Sequence, residues 1–177
     1  MEWMILPLKR YADFSGRSRR KEYWMYTLFV VLAGIVLSIV DSILGLGGRA
    51  AVTADTSSSG AIYGAFASRG LLANLFSLAT LIPSLAVGVR RLHDTNRSGW
   101  WLLAAVLPYI FGAILFAVGA ASANSILMIV GGISFFAGAI VAIVLLVWYC
   151  TAGTPGPNDY GDDPMSDSVE DLARTFE

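Results

Sequence analysis

Four apolar runs, at residues 23–45, 71–89, 100–121 and 126–149, decide what this chain can fold into. Each holds 19–24 residues. At 1.5 Å per residue, helices of that length are about 28–36 Å long, a match for the roughly 30 Å hydrocarbon core of a bilayer. No water reaches backbone N–H and C=O groups in that core, so each run must satisfy them within itself, as a helix does. Composition argues against a soluble core. Of 177 residues, 56% are hydrophobic and 14% charged, and the mean hydropathy is +0.65, whereas about 25% of residues in soluble domains are charged. The expected fold is an all-α integral membrane protein with four transmembrane helices in a bundle. Residues 1–150 form one membrane domain, and residues 151–177 a cytoplasmic tail. The first run exceeds the about 7–15 apolar residues of a secretory signal and reads as an uncleaved anchor.

The segments between the runs are polar in different ways. Residues 1–22 mix Trp3, Ile5, Leu6, Leu8, Tyr11 and Phe14 with six Lys and Arg residues, the composition of a segment lying at headgroup depth, and Pro7 argues against one long helix. Residues 46–70 are rich in Gly, Ala, Ser and Thr and read as a loop, with a short interfacial helix near 62–67. Pro83 and Pro108 are expected to kink the second and third spans. Residues 122–125 are a tight turn. After Cys150 the sequence TAGTPGPNDYGDDP demands turns, and the acidic tail is expected to be extended. Beyond it, Val169, Leu172, Ala173 and Phe176 fall at helical spacing behind Ser168 and Asp171, which resemble a capping box.

Charge fixes the expected orientation. Residues 1–22, 90–97 and the tail carry ten of the twelve Lys and Arg residues, against Arg49 and Arg69 on the other side. By the positive-inside rule both termini are cytoplasmic. Trp3, Trp24, Trp100, Trp101 and Trp148 all fall at that same interface, where amphipathic rings favour headgroup depth.

The stretch RRLHDTNRSGWW, residues 90–101, is the strongly polar segment within the apolar run from Leu71 to Cys150. Arg90, Arg91 and His93 are expected to follow the second span, Asp94, Thr95 and Asn96 to turn the chain, and Ser98 to cap the third. With Arg17, Arg19, Arg20, Lys21 and Arg97 they form a basic collar that binds anionic lipid or a partner. Each such charge near an anionic leaflet contributes about 1 kcal/mol. Glu22 and Asp94, acids within this collar, are expected to pair with arginines of the other segment. With Trp24, Trp100 and Trp101 they act as a structural clamp. One histidine and one cysteine exclude an intramolecular disulfide and a self-contained zinc site, and His93–Asp94 lacks the further ligands of a metal-dependent hydrolase. No cofactor, metal or catalytic residue is expected, nor nucleic acid as a partner.

Two features inside the spans support a competing reading. Asp41 is an acid near the far end of the first span, where a hydrated position is expected. Asn74, Ser77, Thr80, Ser84 and Gly88 share one face of the second. Helix packing explains such a face; a polar pathway through Asp41, Asn74, Ser77 and Ser84 is the alternative. Ala113, Ala117 and Ala121, and Ser134, Gly138 and Ala142, are read as small-residue packing seams.

Three motifs occurring in order carry a family resemblance. They are Phe14-Ser15-Gly16-Arg17 with Arg20-Lys21-Glu22-Tyr23-Trp24; Val89-Arg90-Arg91-Leu92-His93-Asp94-Thr95 with Arg97-Ser98-Gly99-Trp100-Trp101; and Gly153-Thr154-Pro155-Gly156-Pro157-Asn158 with Tyr160-Gly161 and Pro164. Over residues 1–164 the chain resembles the bacterial family called domain of unknown function 805. Asn96 stands where that family usually has Gly, and Asp159 where a basic residue is common. The resemblance implies a four-span inner-membrane protein with both ends cytoplasmic, and no activity.

The expected function is therefore non-enzymatic: an inner-membrane protein that engages anionic lipid headgroups, or a membrane protein partner or second copy, through its basic collar. The alternative is a small transport or channel subunit using the polar face of the second span. Residues 159–177 are further expected to fold back on the collar and compete with lipid.

Overall fold

The computed structural model describes residues 2–46 and 70–165. Five helices lie within them: α1 (Glu2–Lys9), α2 (Arg20–Ile43), α3 (Leu71–Asp94), α4 (Trp100–Ala121) and α5 (Ser125–Cys150). The last four are long and apolar enough to cross a membrane, with mean hydropathies of 1.8–2.6 over their most apolar windows. The loop expected over 46–70, with its short helix, and the short helix expected beyond Ser168 lie outside the described residues, apart from Leu46 and Gly70.

The chain divides into two compact units, and the long helices run through both. One comprises Met1–Val30, Thr80–Leu102 and Val144–Glu177, the other Val31–Ala79 and Leu103–Ile143. In the second unit most large apolar side chains point outward, among them Ile43 at 78% and Phe136 at 68% exposure. An apolar exterior is what a hydrocarbon solvent covers, so packing between these helices depends on close approach.

That approach is made by glycine. Gly112 and Gly119 of α4 are buried, and Gly131 and Gly138 of α5 lie against that helix. A Cβ on Gly131 would stand 2.9 Å from the Gly112 carbonyl and 3.0 Å from the Phe116 nitrogen. The seam of α4 is thus Ala105, Gly112 and Gly119, at sevenfold spacing, rather than Ala113, Ala117 and Ala121; Ala121 is exposed. Helical small-residue spacing alone left the choice of face open. Because the obstructing atoms are backbone, Gly131→Ala is expected to destabilise by about 1–3 kcal/mol. Gly132→Ala meets nothing within 4 Å and should be neutral. Thermal midpoints of the two variants in detergent check this contrast.

Three helices end in the same way. The amide three residues past each helix end reaches back five positions, Leu46 to Asp41, Arg97 to Leu92 and Asn124 to Gly119. The preceding amide reaches back three. This is the Schellman arrangement, whose linking residue adopts a left-handed conformation: Gly45 at φ 67°, Asn96 at 55° and Ala123 at 51°. Asn96 tolerates that region, as the resemblance requires. Ala123 does not, so Ala123→Gly is expected to raise stability by about 1 kcal/mol, measurable as a higher unfolding midpoint. Asn124 then starts α5, its Oδ1 accepting from Ile126 N at 3.0 Å and Leu127 N at 3.4 Å.

α3 continues five residues beyond Val89, through Asp94. Arg90, Arg91, His93 and Asp94 are therefore helical, and the turn begins at Thr95. Charged residues had marked the end of an apolar run, but the helix does not end where hydropathy does.

Candidate functional site

The first unit brings the three polar motifs together. Arg17, in the loop before α2, is 7% exposed. Its Nε donates to Asp94 Oδ1 at 3.1 Å, its Nη1 to the Gly156 carbonyl at 2.6 Å and its Nη2 to the Thr154 carbonyl at 2.6 Å. The planar fork of a guanidinium suits it to several acceptors at once. Asp94 in turn receives Arg91 Nη1 on its other carboxylate oxygen. One buried carboxylate thus bridges two buried guanidinium groups.

Arg91 also closes a helix end. Its Nε donates to Tyr149 O at 3.3 Å and its Nη2 to Thr151 O, while Arg20 Nη1 reaches Cys150 O at 3.2 Å. These carbonyls at the end of α5 lack partners within their helix, and cations are favoured there by the helix dipole. Cys150 itself is exposed.

Arg90 faces the other acid. Its side chain is fully buried and lies 3.4 Å from Glu22 Oε1. Its three guanidinium nitrogens, Glu22 Oε1 and Ser18 Oγ make no hydrogen bond within the protein, so the pair is held by charge alone. Ser18 N bonds the Arg90 carbonyl at 3.1 Å, tying the loop to α3.

The tail is not extended over residues 151–165. Thr154 donates from N (2.8 Å) and Oγ1 (3.2 Å) to the Asp94 carbonyl, and Asn158 Nδ2 donates to the His93 carbonyl at 2.9 Å. Asn158 and Gly161 form a small bridge, with Gly156 at φ 73° and Gly161 at φ 131°. Turn residues do bend the chain here, but the bends are fixed by long-range partners that composition does not show. Tyr160 stacks on His93 at 3.9 Å with an interplanar angle of 7°. His93 Nδ1 lies 3.2 Å from the Gly16 carbonyl, so the ring sits between the N-terminal loop and the tail.

The remaining collar residues are less buried. Arg20, Lys21 and Arg97 are exposed and Arg19 is half-buried. Arg97 stands 3.9 Å over the Trp148 ring, and Arg19 and Lys21 stand 5.7 and 5.9 Å from that of Trp3. Arg19 also bonds the Pro164 carbonyl. Trp24, Trp100 and Trp101 are 39%, 75% and 43% exposed, and Trp101 meets Trp148 edge-on.

Asp163 lies against the same cations. It accepts Met165 N at 2.8 Å and Gly156 N at 3.1 Å. These amides, with Arg17 and Arg19, hold its carboxyl below the ordinary value of 3.8. A depressed folded-state value means stability that is present above the ordinary value and lost as pH falls through the lowered one. The Gly156 and Met165 amide resonances should therefore titrate together with a midpoint below 3.8; a midpoint at or above it would contradict the contact.

A small cavity opens beside this cluster. About 200 Å³ in volume, it is lined by Arg17, Arg19, Arg20, Asp94, Asp163 and tail backbone around Thr154. Sequence reading missed the tail's part in it. The signal available was the joint presence of the third motif with the other two.

The residues of the polar-pathway reading are placed otherwise. Asp41 is 1% exposed rather than hydrated, and its carboxylate accepts Leu72 N at 3.1 Å and Ala73 N at 2.9 Å. It thus caps α3 from a neighbouring helix, where an anion is favoured. Periodicity could not show this, because a cap from another helix leaves no local spacing. Ser77 and Ser84 bond carbonyls one turn back in their own helix, at 2.8 and 2.6 Å, and Ser84 also meets Tyr26 Oη at 3.3 Å. Asn74 is half-buried.

The chain is similar to known proteins over nearly its full length. It is 35% identical to the inner membrane protein YhaI of Escherichia coli (strain K12) over 164 residues, covering 93% of this chain and 96% of that one. It is 31% identical to the inner membrane protein YhaH of the same organism over 167 residues, covering 93% and 97%. No solved structure matches it. The model of a family described as protein of unknown function, DUF805, matches residues 11–162, a span that includes all three polar motifs except the last residue of the third, Pro164. With four helices suited to crossing a bilayer, and relatives of the inner membrane, this chain is a membrane protein belonging to the DUF805 family.

Proposed function

We propose that this protein is a non-enzymatic component of the bacterial inner membrane, with both termini cytoplasmic, that holds anionic lipid headgroups at its cytoplasmic face. The observation carrying this reading is a division of labour among the cations. Arg17, Arg90 and Arg91 are buried against Glu22 and Asp94 and serve to assemble the face. Lys21 and Arg97 are exposed, and among the described residues they stand over tryptophan rings rather than in ion pairs. Exposed cations held over Trp3 and Trp148 are suited to anionic lipid, and both the basic bias of these segments and the tryptophan belt support a cytoplasmic orientation.

Thermal unfolding of the purified protein in detergent, with added phosphatidylglycerol or phosphatidylcholine, tests this reading. Phosphatidylglycerol should raise the midpoint more, and Lys21→Ala with Arg97→Ala should erase most of the difference. Equal responses to the two lipids would overturn it.

A further inference from the structure

The cavity between the start of α2 and the folded tail has the makings of a site for one phosphate group. Arg17, Arg19 and Arg20 line it, with Asp94 and Asp163, and Arg91 adjoins it through Asp94. Four guanidinium groups thus meet two carboxylates, a local charge of about +2. The Glu22–Arg90 pair is separately neutral and does not reduce it. Three of these guanidinium groups are buried or half-buried and Arg20 is exposed; buried positive charge in excess is unfavourable unless something compensates it, and a doubly or singly charged phosphate does so with acceptor oxygens matched to guanidinium forks.

Size narrows the occupant. At about 200 Å³, the cavity is smaller than the roughly 300–1,000 Å³ of pockets for drug-sized ligands. It has room for a phosphate with a short polar stem, and a nucleotide is too large. The donors are also unequally committed. Arg17 gives its hydrogen bonds to Asp94 and tail carbonyls. Arg20 is exposed, and it donates to the Cys150 carbonyl over a comparatively long 3.2 Å. Arg20 is thus the donor best placed to turn toward an incoming anion. Asp163, held on the same lining by the Gly156 and Met165 amides, is an acid of the chain itself standing where an anion would approach.

We propose that this cavity binds a single phosphate group, with Arg20 as the principal donor and Asp163 as an internal competitor. The proposal deepens the lipid reading above, since a phospholipid headgroup is one source of that phosphate and a free phosphate the other. It differs from that reading in placing the anion under the tail rather than on the open face at Lys21 and Arg97.

The test is isothermal titration of the full-length protein in detergent with inorganic phosphate and with short-chain phosphatidylglycerol, repeated on Arg20→Ala, Asp163→Asn and Lys9→Ala. Single-site, saturable phosphate binding is expected. Arg20→Ala should weaken it about ten-fold or more, the loss of one charged hydrogen bond. Asp163→Asn should tighten it several-fold, and Lys9→Ala, an exposed cation that is not part of the lining, should leave it unchanged. Competition between phosphate and the lipid assigns the site to a headgroup, and phosphate binding without competition assigns it to a soluble phosphate. If phosphate binding is itself indifferent to Arg20 and Asp163, the pocket is refuted while the open-face reading stands. Absence of any binding refutes the pocket outright, and equal lipid effects on the thermal midpoint separately refute the open-face reading.

Discussion

Replacing Asp94 with alanine is expected to lower stability by about 3–5 kcal/mol, the range for breaking a buried ion pair by removing one partner. The reason lies in what remains behind. Arg17 and Arg91 have side chains 1% and 0% exposed, and Asp94 is the carboxylate both share. Without it, two guanidinium groups face each other in a site that water cannot readily hydrate. Asp94→Asn keeps one acceptor oxygen and should fall between wild type and alanine. Reversible unfolding in mixed micelles with increasing dodecyl sulfate measures both. A loss below about 1 kcal/mol, the level of exposed pairs, would show that the cluster is solvated and that Asp94 is dispensable.

Gly153→Ala is expected to act on the same carboxylate from the tail side. A Cβ on Gly153 would overlap the carboxylate of Asp94. The need for glycine here is one of space, since Gly153 is not among the residues with positive φ. Asp94 has little freedom to move aside, because Arg17 and Arg91 occupy its two oxygens and Thr154 N holds its backbone carbonyl at 2.8 Å. Overpacking of this kind costs about 1–3 kcal/mol. In the Asp94→Ala background the obstacle is gone, so the double variant should be more stable than the sum of the two losses by about 1–3 kcal/mol. Strict additivity would mean that the tail does not dock on Asp94.

The four membrane-crossing helices were legible because a bilayer imposes one simple demand, a long apolar helix, and hydropathy reports on it directly. Their ends were less so. Arg90 and Arg91 read as a basic collar beyond the span and Asp94 as an acid paired with an arginine of the other segment; α3 carries all three inside, and Asp94 does meet Arg17. A charged residue paired with another distant in sequence looks, one residue at a time, the same as a charged residue in water. The tail shows the same limit. Its glycines and prolines announce turns, and Gly156 and Gly161 do adopt left-handed conformations. What fixes those turns is Arg17, over 130 residues away, and no local pattern encodes that. The family resemblance came nearer, because three short motifs that persist together invite the question of what unites them. Asp41 illustrates the reverse case: its position in the span was plain, but its acceptor role depends on the amides of Leu72 and Ala73 in another helix.

The reach of Arg17 bears on how the protein is made. Its acceptors lie 77 residues ahead at Asp94 and 137–139 residues ahead at Thr154 and Gly156. During synthesis at about 5–20 residues per second, this side chain waits several seconds, while four helices are made, before its last partners leave the ribosome. Contacts so distant in sequence close late, after the loop entropy has been spent. The three-way junction of N-terminal loop, α3 end and tail therefore marks the completion of assembly. Until then, the nascent chain carries unmatched arginines, a feature by which proteases can distinguish unfinished chains from finished ones.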